Sequence, residues 1–261
     1  MGADAPGEGI FVLVNLRACH RPRTPAEAIG LLREGRTALL AGGTELLGLD
    51  DAEIEAVIDL APLGLDRVEM HGGELRIGAM VRLGRLAETP EVAALAGGLL
   101  LRAIRQAAPA TIRAAATLGG TLAGARGGDE IPTALLALGA RVTIVDPESV
   151  KLPIDLFLAG KAEHVTGAII TEISIPWTNE AGGFAFVSRT PADRAIVCAA
   201  AAGGRVAVGG VGPYPVLVPP GWDGAEGSAV SDHRASAAYR RLVAPVLVRR
   251  ALLESRGEGR S

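Results

Sequence analysis

Two glycine pairs set the tightest limit on what this chain can become: Ala41-Gly42-Gly43-Thr44-Glu45 and Thr117-Leu118-Gly119-Gly120-Thr121. Each follows an apolar stretch and ends in small hydroxyl-bearing or acidic residues. Adjacent glycines carry no Cβ, so backbone N–H groups can turn outward and lie against a phosphate. Thr44, Thr117 and Thr121 add hydroxyl donors without bulk. One Gly-Gly turn is ordinary. Two in one domain can close on a pyrophosphate from both sides, which points to a dinucleotide. Neither pair has the G-x-G-x-x-G spacing of a nicotinamide site, with an acidic residue about 20 positions on, and no P-loop Lys follows either.

The rest of the chain excludes more than it offers. With 261 residues there is room for two unequal domains. Hydrophobic residues make up 49% and aromatics only 3%, so the core must be built of Ala, Val, Leu and Ile. A net charge of −3 without a basic stripe argues against nucleic acid as a partner. The longest apolar runs, such as 195–202, fall short of the roughly 20 residues a spanning helix needs, and the first residues show no basic-then-apolar leader, so a cytoplasmic location and no membrane span are expected. Cys19 and Cys198 are too few for a zinc site or an iron–sulfur cluster, and His20, His71, His164 and His233 lack ligand spacing. The chain is expected to carry no metal of its own and no catalytic triad.

Thr24-Pro25-Ala26-Glu27 reads as a capping box opening a helix that stops at Gly35. Strands are expected at 37–41, 56–60 and 74–80, then helices over 83–88 and 92–107. An extended stretch, 112–118, should enter the second glycine loop. A helix over 131–138, a strand over 141–146, a short helix over 153–158 and a strand over 169–175 follow, without a regular βαβ rhythm. Residues 178–183 read as a linker. Beyond it, 184–188, 196–201, 205–209 and 215–218 suggest a small meander, closed by a helix over 235–253. Arg240, Arg241, Arg249 and Arg250 look like its solvated face, and Pro245 should kink or break it.

Taken in order, these segments resemble the FAD-binding medium subunit of molybdenum hydroxylases, the carbon monoxide dehydrogenase and xanthine dehydrogenase family. The resemblance covers nearly the whole chain. It rests on Leu39-Leu40-Ala41-Gly42-Gly43-Thr44-Glu45-Leu46, Leu75-Arg76-Ile77-Gly78-Ala79-Met80, Ala116-Thr117-Leu118-Gly119-Gly120-Thr121-Leu122-Ala123 and Asp129-Glu130-Ile131-Pro132. Arg189-Thr190-Pro191-Ala192-Asp193, Val208-Gly209-Gly210-Val211-Gly212-Pro213 and Ser231-Asp232-His233-Arg234 match the family's smaller C-terminal domain.

That resemblance implies an α+β fold: a FAD-clasping domain of two α/β subdomains (1–177), then a small domain of a three-stranded sheet plus helices (178–261). It implies non-covalent FAD held at the glycine loops by Leu40, Ala41, Gly42, Gly43, Thr44, Glu45, Leu46, Thr117, Leu118, Gly119, Gly120 and Thr121. It further implies Asp129 on sugar or ribityl hydroxyls and Ile170 near the ring system. No residue of this chain is expected to be catalytic. The implied partners are an iron–sulfur small subunit and a molybdopterin large subunit, in a dimer of heterotrimers. Ala114-Ala115 stand where the family usually has Asn-Arg, and Thr190 replaces the second Arg of a usual pair. An ordinary helix N-cap is the plain alternative for Asp129, and a solvated loop residue for Arg126. For the whole chain the alternatives are a stand-alone FAD-dependent oxidase or a flavin-free scaffold.

Overall fold

A computed structural model describes residue 13 and residues 15–46, 53–190, 193–224 and 228–258. Pro191 and Ala192 of the matched C-terminal stretch, and most of the 48–55 connection, lie outside the described residues. The first subdomain is a βαβ unit with one more strand: β1 (Ala18–His20), α1 (Pro25–Arg33), β2 (Thr37–Leu40) and β3 (Ala56–Asp59). β3 lies between the other two, all parallel. The Thr24 hydroxyl accepts the Glu27 N–H at 3.2 Å, while the Glu27 carboxylate reaches back to the N–H of Arg23 at 2.8 Å, so the expected cap forms with its return bond one residue early.

The second subdomain is an antiparallel sheet crossed by helices. Along the chain come β4 (Val68–His71), β5 (Glu74–Gly78), α2 (Leu83–Glu88), α3 (Pro90–Ala94), α4 (Leu99–Ala107), α5 (Ala110–Arg113), α6 (Leu118–Ala123), α7 (Glu130–Ala137), β6 (Arg141–Asp146), β7 (Glu148–Pro153), α8 (Ile154–Ala159), α9 (Lys161–Val165) and β8 (Ile169–Pro176). The sheet order is β4-β5-β8-β6-β7. Hairpins β4–β5 and β6–β7 supply the two edge strands, β4 and β7, which the sequence reading did not separate from loop because polar residues dominate them. The helix expected over 92–107 is broken. Ala96, Gly97 and Gly98 take φ of 48°, 61° and 81°, a left-handed turn that no α-helix accommodates. A core of Ile, Leu, Val and Ala joins this sheet to α2, α4, α6 and α7, and a second cluster, Ala28, Ile29, Ile58, Leu60 and Ile169, ties the first subdomain to β8.

The C-terminal part is an antiparallel meander, β9 (Gly183–Val187), β10 (Val197–Ala202), β11 (Arg205–Gly209) and β12 (Val216–Leu217), followed by α10 (Ala237–Ser255). The two-residue β12 falls within the 215–218 segment that the sequence pattern suggested, and makes four strands where the family resemblance implied three. One face of this sheet contributes Cys198, Ala200, Ala202 and Ala207 to the large core beside α7; the other packs Val197, Ala199, Val206 and Val208 against Ala244, Leu247, Val248 and Ala251 of α10. The alternation along β10 splits its side chains between two cores. α10 runs on through Pro245 instead of breaking, because its buried face holds it to the sheet on both sides of that residue. Arg240 is not on a solvated face either: it is 6% exposed and donates to the carbonyls of Ile196 and Gly210.

Candidate cofactor groove

The two glycine pairs meet, as expected, but not as two loops. Ala41–Glu45 leaves the end of β2 as an irregular turn, with Gly43 at φ 72°. The second segment is the first turn of α6. Thr117 is its N-cap, its hydroxyl accepting the Gly120 N–H at 3.1 Å, while Leu118 and Leu122 anchor the helix in the core. The extended approach over 112–118 is replaced by α5 and a short bridge between Arg82 and Thr117. Apolar residues at 112, 116 and 118 read like strand alternation, but Thr117 supplies a cap that the pattern does not register.

One glycine of each pair is consumed by packing. A Cβ on Gly42 would lie 2.2 Å from the Ala115 carbonyl oxygen, and one on Gly119 would lie 2.6 Å from the Ala79 Cβ. The other glycine of the second pair is less crowded: a Cβ on Gly120 would press on the Thr117 Oγ1 at 3.0 Å and otherwise meet only the Ala41 Cβ at 3.8 Å. Backbone donors differ as well. The N–H groups of Leu118, Gly119, Gly120 and Thr121 are all taken, by Val81 O, Ala79 O, Thr117 Oγ1 and Thr117 O. Those of Gly42 and Gly43 have no acceptor among the described residues.

Between the segments runs a groove of about 450 Å³, walled by Ala41–Leu46, Thr117, Gly120 and Thr121 and floored by Leu39, Leu83 and Ile131. Two further hollows open from the same turn. One, of about 120 Å³, is an apolar slot between Leu39, Leu60, Met80, Gly120 and Ile170. The other, of about 470 Å³, lies beyond Ala41, Gly42 and Thr117 beside Arg82, Arg85 and Asp66. Open N–H groups and threonine hydroxyls thus sit centrally, with hollows to either side. That arrangement fits an elongated dinucleotide such as FAD, whose pyrophosphate needs the donors and whose planar rings need the flanking space. Ile170 lines the slot. The side chains of Leu40 and Leu118 are turned into apolar clusters, which leaves only their backbone to contribute.

Asp129 stands at the groove's polar end. It occupies the N-cap position of α7 but caps nothing; its Oδ2 instead accepts the Arg126 N–H at 2.8 Å. Burial pushes its carboxyl above the ordinary carboxylate value, against the pull of the Arg194 guanidinium and that hydrogen bond. Arg126 is exposed, in keeping with the solvated-loop reading, and pairs with Glu45 at 3.0 Å. Glu130 is buried, accepts the Ala195 N–H at 2.6 Å, and is likewise raised by burial. Sequence reasoning missed Arg194, which reaches Glu45 at 3.7 Å and Asp129 at 3.8 Å from the C-terminal part. No local pattern marks it; only the docking of β10 against α7 brings it to the groove.

The thiols are not placed to hold a cofactor. Cys198 is buried between Thr133 and the Gly128 carbonyl, and burial holds it well above an ordinary thiol's range. Cys19 is exposed on β1. Among the described residues no His, Cys, Asp or Glu group could hold a metal, and no helix is long and apolar enough to cross a membrane.

Comparison with known proteins agrees with this geometry. Residues 14–178 match the model of the FAD binding domain in molybdopterin dehydrogenase. The carbon monoxide dehydrogenase medium chain of Afipia carboxidovorans is 26% identical over 93% of this chain and 97% of its own length. The nicotine 6-hydroxylase medium subunit of Paenarthrobacter nicotinovorans is 32% identical over 77% of this chain and 76% of its own. A solved carbon monoxide dehydrogenase from Hydrogenophaga pseudoflava superposes with a TM-score of 0.83 at 25% identity, over 93% of this chain and 98% of the other. A fold, a two-walled groove and a family model that agree residue range by residue range leave one assignment: the chain belongs to the FAD-binding domain family of molybdopterin dehydrogenases, the medium subunits of molybdenum hydroxylases.

Proposed function

We propose that this chain is the electron-transfer subunit of such a hydroxylase, holding one FAD non-covalently between an iron–sulfur small subunit and a molybdopterin large subunit, in a dimer of heterotrimers. The reading is carried by one observation: the N–H groups of Gly42 and Gly43, which have no acceptor among the described residues, line one groove with Gly120 and Thr121, with hollows to either side. FAD, when bound, supplies the redox chemistry, accepting electrons from a cluster and giving them to an external acceptor. The chain's own task is to bind and orient. The Gly42 and Gly43 N–H groups and the hydroxyls of Thr44 and Thr117 meet the pyrophosphate, while the Thr121 hydroxyl stays on the Thr117 carbonyl at 2.8 Å and braces that wall; Asp129 offers Oδ1 to a sugar or ribityl hydroxyl while Oδ2 stays on Arg126; Leu39, Met80 and Ile170 keep water from the ring slot. The approach over 107–116, where Ile112 is exposed beside the groove, is the surface for the iron–sulfur subunit, together with residues 189–193.

Acid precipitation of the purified protein should release all flavin into the supernatant. The isolated chain should show no flavin reduction by organic substrate, and added iron–sulfur and molybdenum subunits should restore it. Rapid reduction in the single chain would make it a self-contained oxidase, and a colourless chain that takes up no FAD would make it a scaffold.

A further inference from the structure

α10 has two apolar faces, and the fold uses one of them. Ala244, Leu247, Val248 and Ala251 close on the C-terminal sheet. Tyr239, Leu242, Val246 and Leu253 are exposed on the opposite side, Leu242 to 75%. They follow one another at steps of three, four and seven residues, with Arg249 at the place between the last two. Those are the a and d positions of a heptad, so the side chains form one stripe along the helix. Scattered exposed leucines need no explanation, but a seam in heptad register marks a contact surface.

The charges beside the seam decide what can lie on it. Arg241, Arg249, Arg250 and Arg256 are exposed there and make no ion pair among the described residues. Glu254, the only carboxylate of the helix, is turned away to Arg102 and the Phe184 N–H. Guanidinium groups stay protonated at any working pH, so the rim is positive throughout. A second copy of the same face would set arginine against arginine and is repelled. A bilayer takes a broader apolar face than an a and d seam, whose width is that of helix pairing.

We infer that the outward face of α10 is a docking surface for an acidic amphipathic helix of a partner protein. Apolar residues of that helix would pack between Leu242, Val246 and Leu253, and its Asp or Glu side chains would meet Arg249 and Arg250. Arg249, a charge inside the seam, would fix the register by demanding a carboxylate opposite it. The C-terminal sheet stands between α10 and α7, so the inference is independent of what the groove binds.

The test is titration of the full chain with a labelled synthetic peptide of about four heptads, Leu at a and d and Glu at e and g, read by fluorescence anisotropy. A matching peptide with Lys at e and g is the control. Saturable binding of the Glu peptide, weakened by salt, with none of the Lys peptide, is the expected result. Leu242→Glu should weaken that binding about tenfold or more, and Arg249→Glu combined with Arg250→Glu should turn the preference toward the Lys peptide. All three residues are exposed, so an unchanged melting temperature is expected and separates lost docking from lost fold. No binding of the Glu peptide, or binding that Leu242→Glu leaves intact, would overturn the inference. So would self-association of the chain in sedimentation that Leu242→Glu abolishes, or binding of anionic phosphatidylglycerol vesicles in preference to the peptide, since each would put a different occupant on the seam.

Discussion

The two glycine pairs have nearly the same composition and opposite construction. Ala41-Gly42-Gly43-Thr44 follows a strand and keeps the N–H groups of Gly42 and Gly43 without an acceptor among the described residues; Thr117-Leu118-Gly119-Gly120-Thr121 opens a helix and spends the N–H groups of Leu118 to Thr121 on its own fold. What they share is a division of labour within each pair. The first glycine, Gly42 or Gly119, permits one backbone to lie against another, and the second, Gly43 or Gly120, borders the groove. The lesson is that a glycine pair is not one feature. Gly119 belongs to packing and Gly120 to the groove, while Gly42 does both, with its Cα packed on Ala115 and its N–H left for a ligand.

That division can be broken at adjacent residues of α6. Gly119→Val would drive a side chain into Ala79, whose Cβ and carbonyl oxygen lie 2.6 and 2.9 Å from the new Cβ; overpacking of this kind costs about 2–3 kcal/mol or more and should appear as poor expression or a marked loss of thermal stability. Gly120→Val should instead keep the circular dichroism spectrum and the melting temperature while losing FAD, because its branches project toward Ala41 across the groove. Equal loss of stability in both variants, or full FAD affinity in Gly120→Val, would show that the assignment of the two glycines is wrong.

The same contrast explains what could be read from the sequence. The glycine pairs, the strands around them and the helix at 130–137 are local patterns, and local patterns were legible. The conformation of the second pair was not, because a threonine N-cap and a threonine in a loop look alike until the carbonyls and N–H groups are placed. Edge strands β4 and β7 were lost because polar residues hide their alternation, and the helix over 92–107 was overextended because Ala96 gives no sign of a left-handed turn. Arg194 and Arg240 show the largest gap. Arg194 belongs to the groove and carries no sign of it in the sequence, and Arg240 belongs to a buried network yet reads as a surface arginine, since their partners come from distant parts of the chain.

Threonines sharpen the comparison at smaller amplitude. Thr117 is buried and caps α6, so Thr117→Val should cost about 1 kcal/mol of stability, the usual loss for an N-cap. Thr44 is exposed on the open segment and caps no helix among the described residues. Thr44→Val should therefore leave the melting temperature unchanged and weaken FAD by several-fold to about tenfold, the worth of one hydrogen bond to a charged group. A stability loss in Thr44→Val matching that of Thr117→Val would erase the distinction between an open segment and a self-satisfied one.

The smallest effect concerns how the open segment is held. Where the second segment is tied by backbone bonds, the first is tied by charge: Glu45 pairs with Arg126, and Arg194 lies between Glu45 and Asp129. Asp129 is the buried member, and its carboxyl is raised above its ordinary 3.8 chiefly by desolvation. A raised acid binds its proton more tightly folded than unfolded, so between 3.8 and the raised value the native state holds more protons and stability falls as pH rises. The destabilisation is complete above that window and absent below it. Asp129→Asn keeps an oxygen to accept the Arg126 N–H but removes the titration. Glu130, raised in the same direction and in part by the Asp129 charge, titrates in both proteins, so the difference between variant and wild type reports Asp129 together with its push on Glu130. That difference in melting temperature should grow in the variant's favour as pH rises from about 4 and level off once the raised carboxyl has ionised, while FAD affinity falls because the remaining amide is a weaker acceptor for a sugar hydroxyl. A difference that stays flat across that range would mean the carboxyl titrates normally, and that the first segment is held by something other than this buried charge.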